Sequence, residues 1–194
     1  MPVTWEMSFL HAVIFGGFVA FITYLPTYLK TIYGFSPVDA GARTAGFAVA
    51  ATLARPVGGW LADRIAAKYV VLTSLASVAV LAFVAVFQPP PDVWSAATFI
   101  PLAIFLGIGT GGVVAWVTQL APAMSVGSVT GIVAAAGGLG GYFPPLVMGA
   151  TYDRLHNNYT VGLMLLVATA LASFGWTALR LHAQQPAAGR LSRS

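Results

Sequence analysis

Apolar residues run along this chain in six long blocks, at 5–29, 37–61, 69–87, 96–121, 128–151 and 159–181. Each block covers roughly 20 to 26 residues, enough for a helix to cross a ~30 Å hydrocarbon core with some tilt. The breaks between blocks carry helix punctuation. Ser36 before Pro37 is a helix cap followed by proline at the first helical position. Pro89, Pro90 and Pro91 cannot continue a helix, and Asn157 and Asn158 form a polar turn. The pattern predicts an all-α fold: a polytopic membrane bundle of six transmembrane helices over residues 1–183, with a polar tail at 184–194 expected to be disordered. The stretch before Trp5 is too short for a cleavable signal peptide.

Composition supports the lipid bilayer as the solvent. Hydrophobic residues make up 58% of the chain and charged residues 7%. A soluble domain carries about 25% charged residues, so this chain has too few to coat a surface in water. Cysteine is absent, which excludes disulfides, thiol catalysis and thiolate metal sites. The net charge of +4 comes from scattered residues, and nucleic acid is not an expected partner. A bias across the bilayer accounts for the charge better. Arg64, Lys68, Arg180, Arg190 and Arg193 fall on the side of the termini, against Lys30, Arg43 and Arg154 on the other. The excess places both termini in the cytoplasm of a cell-membrane protein.

Depth then singles out Arg55. Asp63 and Arg64 mark the cytoplasmic boundary, and Arg55 lies eight residues earlier, about 12 Å deeper. An arginine near the midplane costs at least about 2.5 kcal/mol on insertion scales, so it is expected to face a polar cavity or a partner. On the first span His11, Phe15, Phe18 and Ile22 recur at helical spacing and share one face. Glycines cluster near mid-span in "GIGTGG" (residues 107–112) and "AAAGGLGGYFPP" (residues 134–145). Gly107 and Gly111, Gly127 and Gly131, and Gly137 and Gly141 each stand four apart, the spacing of tight helix crossings. Two readings stay open for these glycines: close packing, and the approach of backbone amides to a small substrate, for which Gly109, Gly137, Gly138 and Gly141 are the candidates. All five carboxylates lie at or near span ends. The midplane is cationic, and the substrate is expected to be an anion. There is no nucleophile–base pair, metal-ligand spacing or phosphate loop, so neither enzymatic activity, cofactor nor metal is expected.

The segments "FGGFVAF" (residues 15–21), "LARPVGGWLADR" (residues 53–64) and "GSVTGIVAAAGGLGGYFPPLVMG" (residues 127–149) carry a resemblance. Gly59, Asp63 and Arg64, followed by Lys68, resemble the cytoplasmic gating motif of the major facilitator superfamily, although Ile65-Ala66-Ala67 displaces its usual glycine. Together the three segments resemble the nitrate/nitrite porters of that superfamily. The resemblance implies that this chain is helices seven to twelve of a twelve-helix transporter of nitrate or nitrite. It implies a substrate arginine at Arg55 and a phenylalanine against the anion at Phe15. A pocket tyrosine of that family falls at His11 and a phenylalanine at Val114, where this sequence departs. The expected partners are the anion and either a separately made N-terminal half or a second copy of the chain. The competing expectations are a truncated, non-transporting membrane fragment or scaffold, and a transporter half for another small anion.

Overall fold

The computed structural model describes residues 2–91, 93–150 and 159–184. All regular structure among them is helical. The helices are α1 (Pro2–Tyr33), α2 (Pro37–Ile65), α3 (Ala67–Val86), α4 (Val93–Leu120), α5 (Val126–Gly140), α6 (Phe143–Ala150) and α7 (Thr160–Gln184). The expected turn at Asn157 and Asn158, and the tail beyond α7, lie outside the described residues. Ser36 caps α2 as its sequence implies. Its hydroxyl accepts the Asp39 backbone N–H at 3.1 Å and donates to the Asp39 carboxylate at 2.6 Å, and Pro37 opens the helix.

The fifth expected span is two helices rather than one. Pro144 and Pro145 have no N–H to return to the preceding turn, and their rings crowd it. The chain breaks just before them: the Gly141 N–H reaches the carbonyls of Gly137 and Gly138, and the Tyr142 N–H that of Leu139. The stretch Val126–Val147 is nonetheless one of five that are long and apolar enough to cross a membrane, with Thr4–Tyr33, Ala67–Val86, Ser95–Leu120 and Thr160–Leu179. α2 is the exception. Its 29 residues have the length, but Asp39, Arg43, Arg55, Asp63 and Arg64 fall within it and dilute its apolarity. It is held by its neighbours, lying against α4 along most of its length and against α1.

Glycines decide how closely the helices approach. A Cβ on Gly107 would collide with the carbonyl oxygen of Ala51, and one on Gly111 with that of Arg55. Gly58 meets the backbone of Ile108 in the same way. Two residues four apart on α4 therefore seat two residues four apart on α2, the small-residue crossing by which helices associate in lipid. A second such seam joins α1 to α5, with Gly16 against Gly140 and Gly140 against the backbone of Ala12. The spacing alone does not make a crossing, because Gly127 and Gly131 have nothing within 4 Å of where a Cβ would stand. Between the seams lies an apolar core in which Ile14, Phe47, Leu75, Leu102, Leu106 and Val113 are at most 1% exposed. Ser74 of α3 donates to the carbonyl of Phe105 at 2.5 Å and ties α3 to α4.

Candidate functional site

Arg55 projects from the middle of α2 toward α1. Its guanidinium carbon lies 5.1 Å from the centre of the Phe15 ring and 4.6 Å from that of Phe18. The negative faces of two aromatic rings are favourable neighbours for a desolvated cation, but they do not complete its hydrogen bonds. Arg55 Nε is buried without a partner. The described carboxylates do not supply one: Glu6, Asp39 and Asp63 stand near helix ends. A guanidinium so placed has a planar face of N–H donors available to an oxyanion.

Of the candidate residues, Phe15 lies beside Arg55, His11 stacks on Phe15, and Gly137 packs on His11. Phe15 and Phe18 lie one turn apart on α1, as their spacing requires, with ring centres 5.8 Å apart. Phe18 was legible as a member of this face, and it makes the closer contact with the guanidinium. His11 stacks on Phe15 at 5.2 Å with the ring planes 6° apart. The imidazole is 5% exposed, and its Nδ1 has no hydrogen-bond partner. Gly137 of α5 packs against it, where a Cβ would strike its Cδ2. Gly137 is thus the reason a bulky ring fits at position 11.

The other candidate glycines stand apart from this cluster. Gly109 packs against Ser74 and Ile14 in the core. Gly141 lies against Val19. Gly138 is exposed, with nothing within 4 Å of a Cβ position. Val114, on α4, is also exposed. An apolar cavity of about 250 Å³ between α1, α6 and α7, lined by Phe21, Phe143, Leu163 and Leu166, offers an anion no charge.

At the far end of α2 the gating-motif residues are held separately. Gln119 of α4 donates to the Asp63 carboxylate at 3.3 Å and to the Ala62 carbonyl at 3.5 Å. Arg64 lies over the Trp60 ring at 4.3 Å, and Lys68 over Tyr69 at 4.8 Å. Gly59 faces the Gly111 carbonyl at the α2–α4 seam. Sequence reasoning missed Gln119. It is the one amide side chain on α4, but nothing local ties it to a residue 56 positions away.

Apolar helices of membrane-crossing length, packed through glycine seams and carrying a mid-helix arginine at Arg55, define an integral membrane protein. The chain belongs to the Major Facilitator Superfamily, whose family model matches residues 7–193. It is 74% identical over 193 residues to a probable nitrate/nitrite transporter, NarK2, of Mycobacterium tuberculosis, covering 100% of this chain and 48% of that protein. It is 38% identical to the nitrite extrusion protein of Bacillus subtilis, covering 89% of this chain and 43% of that one. It is 34% identical to a probable nitrate transporter, NarT, of Staphylococcus epidermidis, covering 73% and 36%. The chain spans about half the length of the curated relatives it matches. Among solved structures it resembles the proton:xylose symporter XylE bound to 6-bromo-6-deoxy-D-glucose, with a TM-score of 0.67, 17% identity, and 91% and 44% of the two chains covered. That likeness establishes the fold.

Proposed function

We infer that this chain is the C-terminal, six-span half of a nitrate/nitrite transporter, and that Arg55 binds the oxyanion near the bilayer midplane. The observation that carries the reading is the guanidinium itself, buried at Nε without a partner and set against Phe15 and Phe18. Nitrate and nitrite are flat or bent, weakly hydrated monovalent anions. A planar guanidinium can bond two of their oxygens at once, and the aromatic rings tolerate the low polarity of the rest. The names of the relatives support the substrate class.

In this reading both termini face the cytoplasm, and residues 184–194 are a tail on that side. The partner supplies the other six spans, either as a separate N-terminal half or as a second copy. Facilitator halves bind substrate at their interface and alternate access by rocking against each other. The exposed Val49, Leu53, Val57 and Trp60 of α2 provide apolar surface for that contact. Uptake of labelled nitrate into proteoliposomes tests the reading, with the chain alone and with an N-terminal half co-expressed. Nitrate uptake that formate does not match, and that vanishes in Arg55→Gln, supports it. A chain that moves no anion in either setting is a non-transporting fragment, and one that prefers formate has another substrate.

A further inference from the structure

Twelve residues before Arg55, α2 carries another arginine, Arg43. It takes no part in the cluster around Arg55. Its guanidinium turns back past the start of the helix and lies 4.2 Å from the centre of the Phe35 ring, in the turn between α1 and α2. That ring is itself held. It packs edge-on against Tyr33, with centres 5.9 Å apart. The Tyr33 hydroxyl in turn donates to the Pro89 carbonyl at 2.6 Å, in the loop between α3 and α4. An arginine near a span end reaches toward the headgroups by default. Here its head is also fixed in place, at the rim of the bundle where α1 ends and α2 and α4 begin.

Beside Arg43 the three helices part. A groove of about 230 Å³ lies between the ends of α1, α2 and α4, with Leu25, Leu29, Phe47, Phe99 and Ile100 as apolar walls. Its polar members are Arg43 and Ser95, and the Ser95 hydroxyl donates to the Pro91 carbonyl at 3.1 Å. Gly46, also on the groove, has nothing within 4 Å of where a Cβ would stand. Among the described residues, then, no side chain fills the space in front of it. Apolar walls facing an unfilled space forgo their dispersion contacts, and a bilayer has hydrocarbon at hand to restore them.

We propose that this groove is a lipid site, holding one anionic phospholipid of the bilayer with its phosphate on Arg43 and an acyl chain along Leu29, Phe47 and Phe99. The match is amphipathic. A cation at the rim selects an anionic head, and its planar fork suits two phosphate oxygens. Uncharged walls select hydrocarbon over a free inorganic anion. The local charge agrees. At this end of the bundle the described charged residues are Lys30, Asp39 and Arg43, and the Asp39 carboxylate is engaged by the Ser36 hydroxyl at 2.6 Å. Basic pockets between membrane helices are general binding places for anionic headgroups. The lipid joins the ends of three helices, and it adds hydrocarbon contact to α2, which is not among the five stretches apolar enough to cross on their own.

Native mass spectrometry of the full chain in detergent tests the proposal, with phosphatidylglycerol and phosphatidylcholine of the same acyl chains titrated in turn. The wild type is expected to retain one phosphatidylglycerol about fivefold more tightly than phosphatidylcholine. Arg43→Gln is expected to bring the two lipids within about twofold of each other. Gly46→Leu puts a side chain into the open space and is expected to weaken both by at least about threefold. Ile100→Trp fills the groove from α4 and serves the same comparison if the leucine variant does not fold. Glycerol phosphate, a head without chains, is expected to leave the bound lipid in place. Its displacing the lipid at equal concentration would make this a site for free phosphate and overturn the lipid assignment. Equal retention of the two lipids by the wild type overturns the proposal, as does a preference that persists in Arg43→Gln or binding unchanged in both groove-filling variants.

Discussion

The α2–α4 seam puts a substitution on α4 in direct contact with the backbone of Arg55. Gly111→Ala adds one carbon, and that carbon would land well inside contact distance of the Arg55 carbonyl oxygen. Unstrained contacts begin at about 3.5 Å, so relief requires α2 and α4 to separate by about 1.5 Å. Overpacking of this kind costs about 1–3 kcal/mol. At roughly 2–4 °C per kcal/mol for a chain of this size, the melting midpoint should fall by about 2–12 °C. Gly107→Ala strikes the Ala51 carbonyl one turn away and should cost a similar amount. The double variant should cost less than the sum, because a single separation relieves both clashes. The control is Gly131→Ala, whose added carbon meets nothing within 4 Å and which should raise helix stability by up to about 1 kcal/mol. Scanning calorimetry in detergent measures the stabilities, and nitrate affinity reports whether the shift reaches Arg55. A Gly111→Ala protein that melts within about 1 °C of the wild type would refute the close approach. Full additivity of the two variants would refute the shared displacement.

Other consequences are equally direct. Ala66, between α2 and α3, has φ 75° and ψ 126°, a conformation costly for any residue with a Cβ. Ala66→Gly should therefore stabilise the chain by about 1 kcal/mol, read from the same melting curves. Phe18→Leu removes the nearer ring from Arg55 and should weaken nitrate binding by about 0.5–2 kcal/mol, roughly 2- to 30-fold, in an equilibrium titration. Ser74→Ala leaves the Phe105 carbonyl without its second donor and should cost about 1 kcal/mol of stability. In this cysteine-free chain, a cysteine at the exposed Val38 should react with an impermeant thiol reagent only from outside the cell, and one at Arg64 only from inside. The reverse pattern would invert the topology.

The helices were legible because a bilayer leaves a helix-forming backbone few alternatives, and the Arg55 cluster was legible because burying a cation is costly. His11, Phe15 and Phe18 share a face by spacing alone, so their common side could be read before any fold was known. What faces them could not. The match of Gly107 and Gly111 to Ala51 and Arg55 depends on which helices become neighbours. The identically spaced Gly127 and Gly131 show that the motif does not choose its own partner. The break at Gly141 and Tyr142 had a local signal in Pro144 and Pro145, outweighed in the reading by the apolar run through it. Gly109 and Gly138 were grouped with the site for their depth in the span. Depth fixes only one coordinate: a Cβ on Gly109 meets Ser74 and Ile14, and one on Gly138 meets nothing within 4 Å.

The central claim is that Arg55 holds the anion through its planar fork of donors. Its most direct test is nitrate binding and uptake by Arg55→Lys and Arg55→Gln in the transporter assembled from both halves. Removing one partner of a buried ion pair costs about 3–5 kcal/mol, at least about a hundredfold in affinity, and lysine keeps the charge without the fork. The expected result is loss of measurable uptake in both variants, with membrane insertion and melting near wild type and with Arg64→Lys much milder. Nitrate affinity in Arg55→Lys within about threefold of the wild type would contradict the account and place the anion elsewhere.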